Sequence, residues 1–147
     1  MCLILQKTSI MKIVPLFKVR DMQKALAHYT RVLDFTLAYS DESAESLVVD
    51  LVNGDAVLQL TVLEGDYLFG SVANVWVDDV DVLFSRYKSR GLDTSGRENS
   101  PVHQGPTDQS WGTREFYVTD EDRNTLRFCH ATKEPAARAD SLEKGTI

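Results

Sequence analysis

The chain has little of what builds rigid cross-links or metal centres: two cysteines and three histidines. Cys2 and Cys129 stand at opposite ends without metal-type spacing, so they read as two reduced thiols, as expected of a cytoplasmic protein. No apolar run approaches the ~20 residues that a membrane span needs. The opening MCLILQKTSIMK has a short apolar stretch but neither a basic start nor a small-residue cleavage site, and does not read as a secretory leader. Met11 offers a second start, which would make residues 1–10 an extension. Positive charge is in deficit, with 16 Lys and Arg against 22 Asp and Glu, and the excess lies before residue 131. Such a surface repels phosphate backbones and anionic lipid, which argues against nucleic acid or a membrane as partner. There is no G-x-S-x-G motif and no glycine-rich phosphate loop, and no cofactor is expected.

What is present suits one compact soluble domain: 147 residues, 43% hydrophobic and 26% charged. IVPLFKV (13–19) reads as a strand, with Pro15 favouring a sheet edge. Asp21 is placed to cap a helix whose apolar face is Met22, Ala25, Leu26, Tyr29, Val32 and Leu33. His28 falls on the opposite, solvated face. Three strand-like runs come next, FTLAYS, SLVVDLV and AVLQLTV, the last two separated by the tight-turn signal Asn53-Gly54-Asp55.

The second half repeats this order. SVANVWV (71–77) reads as a strand, and Asp78 or Asp79 can cap a helix with Val80, Leu83, Phe84 and Tyr87 on its apolar stripe, stopped by Gly91. A weak strand over Asp93–Glu98, a loop over 99–112 and a final hairpin, REFYV and NTLRFCH, complete it. KVRDM (18–22) matches WVDDV (76–80), and VLQL (57–60) matches TLRF (125–128). Two tandem βαβββ units account for both matches. The expected domain is residues 1–132, with one module about 11–63, the other about 70–130, and a flexible tail over 133–147.

Three stretches, VPLFKVRDMQKALAHYTRVLDF, VANVWVDDVDVLFSRYKSRG and WGTREFYVTDEDRNTLRF, resemble the glyoxalase/bleomycin resistance protein/dioxygenase (vicinal oxygen chelate) superfamily. The last stretch is similar to the bleomycin-resistance branch, although Arg123 stands where relatives usually have the turn glycine. The resemblance implies an α+β fold in which the two modules form a curled, cup-like mixed sheet with the helices on its convex side. Alternation along the strands then sends Leu58, Leu60, Leu126 and Phe128 to the core. Val14, Leu16, Gln59, Val72, Asn74, Trp76, Arg127 and Cys129 turn into the cup.

The resemblance also supplies a test for metal. Metal-using relatives take His and Glu ligands from the leading and last strands of each module, and the matching positions here are Val14, Val72, Gln59 and Arg127. Valine has no lone pair to give, arginine is a permanent cation, and Gln59 alone could ligate. About three protein ligands are needed for a catalytic site, so no metal is expected. The resemblance and the missing ligands together imply a metal-free binding protein. It sequesters a planar, cationic or aromatic ligand, as bleomycin resistance proteins do, in a cleft at a homodimer interface, with or without exchange of modules between chains and without turnover. Its candidate ligand-binding residues are Trp76, Trp111, Asn74, Gln59, Arg127, Glu115, Tyr117 and Tyr39. Trp76 could instead belong to a dimer core, Trp111 could pack the loop, and Tyr39 could serve core or cleft. Glu115 and Arg127 are natural ion-pair partners. The alternative reading is a metal-dependent lyase, isomerase or dioxygenase of the same superfamily.

Overall fold

A computed structural model describes residues 11–66, 68–95 and 99–133. The expected extension over 1–10, the end of the expected weak strand (96–98) and all of the tail beyond 133 lie outside the described residues. The fold is α+β: two four-stranded mixed sheets, each the product of one βαβββ unit.

The first unit comprises β1 (Leu16–Lys18), α1 (Met22–Ala27), β2 (Thr36–Leu37), β3 (Val48–Asn53) and β4 (Ala56–Thr61), in sheet order β1-β4-β3-β2. Strand β1 runs parallel to β4 at the sheet edge, where Pro15, which has no N–H to donate, uses its carbonyl to accept from the Gln59 amide. Asp21 caps α1 by accepting from the amide of Lys24. The Asn53–Asp55 turn closes the β3–β4 hairpin with Gly54 at φ +57°, a left-handed conformation that costs glycine little.

The helix departs from the expected single run to Leu33. After Ala27 the chain widens into a π turn over His28–Val32, in which the amide of Leu33 reaches back five residues to the carbonyl of His28. Tyr29 and Leu33 are nevertheless buried, as the apolar stripe expects. His28 is half-buried rather than solvated, its ring edge-on to Tyr29 at 4.8 Å between centroids. Burial lowers its pKa despite the nearby charges of Asp120 and Glu121.

The second unit comprises β5 (Val72–Trp76), α2 (Val80–Ser89), β6 (Thr107–Asp108), β7 (Thr113–Thr119) and β8 (Thr125–Ala131), in order β5-β8-β7-β6. Asp79 caps α2 by accepting from the amides of Asp81 and Val82, while the Val80 amide donates to Nδ1 of His130 on β8. The weak strand expected over 93–98 is absent from its described part, Asp93–Ser95. There the Asp93 carboxylate accepts from the amide and hydroxyl of Ser95 and turns the chain. Its place in the sheet is taken by β6, from within the loop, which pairs antiparallel with Arg114 and Glu115.

Both helices cover the core-facing side of the sheets, away from the cup residues. Phe17, Tyr29, Leu51 and Leu60 from the first unit join Val80, Tyr87, Phe116 and Phe128 from the second in one buried cluster. Tyr87 meets Phe128 edge-on at 5.6 Å, and Phe116 stacks on Phe128 at 5.0 Å. The opposite face of each sheet is left open.

Candidate ligand-binding face

Register decides which side chains meet on the open face of the second sheet. Strand β8 sets Arg127 beside Tyr117 of β7 on one side and Asn74 of β5 on the other. Cys129 stands in the same way between Glu115 and Trp76. Phe116, Val118, Leu126 and Phe128 are buried in the core, so the alternate positions Glu115, Tyr117, Arg127, Asn74 and Trp76 share the other face.

Glu115 organises this face. Its Oε2 accepts from the Thr113 hydroxyl at 2.6 Å and from Trp111 Nε1 at 3.1 Å, and its Oε1 accepts from the Tyr117 hydroxyl at 2.8 Å. Arg127 lies 3.7 Å from Oε1 and also donates through Nη2 to the Tyr117 oxygen. Burial alone would raise the pKa of Glu115. The hydrogen bonds from Thr113, Tyr117 and Trp111, with the charge of Arg127, outweigh it and hold the carboxyl below its ordinary value. The Tyr117 hydroxyl is pushed up by burial and by the Glu115 carboxylate. Its ring carries the Arg127 guanidinium at 4.6 Å from the centroid, a cation–π contact.

Two indoles flank this network. Trp76 is 65% and Trp111 61% exposed, so neither serves the core of the single chain. Trp111 lies in the turn before β7, and its Nε1–H is tied to Glu115, which orients the ring while leaving most of it open. His103, from the short 3-10 turn Pro101–His103, meets the Tyr117 ring edge-on at 5.5 Å and shares a hydrogen bond with the Thr119 hydroxyl.

Six of the eight candidates, Trp76, Trp111, Asn74, Arg127, Glu115 and Tyr117, thus stand on or beside one sheet face. Gln59 is on the open face of the first sheet, where its amide donates to Asp50 across the β3–β4 pair. Tyr39, just past β2, is 57% exposed, which rules out its core reading, and it lies outside the Glu115 network. Sequence reasoning did not include Thr113 or Asp50. Alternation could have found both, since Thr113 precedes Glu115 by two residues and Asp50 stands opposite Gln59.

The positions matching metal ligands in the resemblance do not fit a divalent ion. Val72 offers only methyl groups, Gln59 is engaged with Asp50, and the cation at Arg127 would repel the metal. Among the described residues no three His, Cys, Asp or Glu side chains converge. The Cys129 thiol, buried and close to Glu115, has its pKa raised, which keeps it protonated. A separate cavity of about 720 Å³ lies at the seam of the two units, lined by charged groups including Arg20, Lys24, Asp93 and Glu121. Among the described residues no helix is long and apolar enough to cross a membrane.

Paired βαβββ units, each a helix-backed four-stranded mixed sheet with one open face, define the fold class. The chain belongs to the Glyoxalase/Bleomycin resistance protein/Dioxygenase superfamily, whose family model matches residues 14–128. No match was found among curated protein sequences. Among solved structures, a bleomycin-binding protein complexed with bleomycin is 23% identical, covering 82% of this chain and 98% of that one, with a TM-score of 0.61. A bleomycin resistance determinant encoded on the transposon Tn5 is 21% identical over 84% of this chain and all of that one, with a TM-score of 0.63. TioX from Micromonospora sp. ML1 is 22% identical over 83% of this chain and 99% of that one, with a TM-score of 0.65. At these identities the likeness establishes the fold.

Proposed function

We propose that this protein is a cytoplasmic binding protein that sequesters a planar aromatic small molecule, of the antibiotic kind named for its structural neighbours, and does not transform it. The observation that carries the reading is the pair of exposed indoles beside a hydrogen-bonded polar network on one open sheet face. Aromatic faces stack flat molecules, and a few fixed polar groups orient them. The chemistry of the same residues supports binding without turnover. The carboxylate is fully hydrogen-bonded, the thiol is protonated, and the metal-ligand positions hold valine and arginine.

An open face on one chain encloses little. The reading therefore includes a homodimer in which the second sheet of one copy faces the first sheet of another, making two clefts, whether or not modules are exchanged. Apolar side chains on the open faces, Leu16, Val72 and Trp76, support this, because large exposed apolar patches mark association surfaces. The binding unit is residues 1–132, with 133–147 as a tail outside it.

Calorimetry at micromolar protein, with metal-free and with copper-loaded bleomycin, tests the antibiotic reading. Binding heat with the drug recovered intact is the expected result. No heat with either form removes bleomycin as the ligand, and a chemically altered product overturns sequestration.

A further inference from the structure

The open face of the second sheet carries two charged side chains, and they present themselves differently. Glu115 is 7% exposed, and both carboxylate oxygens are taken by Thr113, Trp111 and Tyr117. Arg127 is 36% exposed, stands on one of the two internal strands of that sheet, and its tie to Glu115 is long at 3.7 Å. A guanidinium has five N–H donors. Among the described residues Arg127 uses Nη2 on Tyr117, and its Nε–H is buried without an acceptor. The charge a ligand meets is therefore positive. On this sheet a ligand cation would find no free carboxylate and would be set against the guanidinium.

We propose that Arg127 sets the ligand class, selecting a planar aromatic that carries an anionic or carbonyl acceptor group. The inference rests on the binding reading above. The ring of the ligand lies on the indoles of Trp76 and Trp111. Its acceptor meets Arg127, with the amide of Asn74, the β5 neighbour of Arg127, as a second donor. Glu115 is then a positioning residue, which holds Trp111 and Tyr117 in place and does not touch the ligand. The overall charge of −6 does not reverse this choice, because free charges more than about 8 Å apart are largely screened at physiological salt. On the first sheet Asp50 accepts from the Gln59 amide, which leaves it part-engaged.

Three anthracenes that differ in one substituent on the central ring, a carboxylate, a hydroxymethyl or an aminomethyl group, provide the probe. Their affinities are read from quenching of tryptophan fluorescence at physiological salt. The carboxylate should bind about tenfold or more tightly than the ammonium, with the alcohol between them. Arg127→Met should erase that order, and Arg127→Lys, which keeps the charge, should retain the preference for the carboxylate. Equal affinities or the reverse order on the unaltered protein overturn the inference and leave the aromatic cleft standing. Full retention of the order in Arg127→Met also overturns it. Failure of all three probes to bind overturns the inference, and the calorimetry with bleomycin then decides the binding reading separately. Should Arg127→Met fail to fold by circular dichroism, the unaltered protein and Arg127→Lys decide.

Discussion

Glu115 and Trp111 separate two roles that a list of polar and aromatic residues would merge. The carboxylate is buried and gathers three donors, so Glu115→Gln should cost about 2 kcal/mol of stability at neutral pH. The pH dependence stems from its lowered pKa. The folded value lies below the unfolded one, so the stabilisation is present above the unfolded value of about 4.3 and is lost as pH falls through the folded one. Urea denaturation of both proteins should therefore show their difference shrinking as the pH is taken below about 4. A difference that stays constant would mean the carboxylate charge contributes nothing. Trp111 is mostly exposed, and its replacement should scarcely change stability. Trp111→Ala should instead weaken ligand binding by about 1–3 kcal/mol, measured by calorimetry.

At the scale of elements, strand faces were legible because their period is local. Leu126 and Phe128 against Arg127, or Phe116 against Tyr117, needs no knowledge of the rest of the chain. The ties of Trp111 to Glu115 and of His103 to Thr119 were not legible, because they depend on the path of the loop over 99–112, which has no period. The π turn at His28–Val32 also escaped. Tyr29, Val32 and Leu33 fit an ordinary helical stripe in sequence, and only the backbone shows the added residue. The β7–β8 turn lies between these cases. Arg123 was conspicuous as a departure from the turn glycine of relatives, and in the structure it has φ +70°, a conformation that costs residues with a Cβ. Arg123→Gly should relieve that strain at some cost in unfolded-chain entropy, for a net gain of about 0.5–1 kcal/mol in chemical denaturation. A loss of stability would show that the arginine side chain contributes more than the turn strain costs.

In the whole molecule, the two units are joined on their closed side and left apart on their open one. The join is both apolar and polar. Besides the shared core, Tyr29 donates to Asp120 at 2.7 Å, Asn124 donates through Nδ2 to the Lys18 carbonyl, and Asp34 receives Arg86 and Arg90 at 2.6 Å each. On the open side β1 and β5 are edge strands, and nothing among the described residues buries Leu16, Val72 or Trp76. A chain held together from behind can lose association in front without losing its fold, so the two properties can be tested apart. Val72 is 58% exposed on β5 and outside the core cluster, so a carboxylate there adds little strain to one chain but must be desolvated at an interface. If the proposed dimer forms through these faces, Val72→Glu should therefore sediment as a monomer and the unaltered protein as a dimer. Its circular dichroism should be unchanged, and ligand affinity should fall with the loss of the second sheet. A variant that remains dimeric and binds fully would place the association surface elsewhere on the molecule and leave each open face to bind alone.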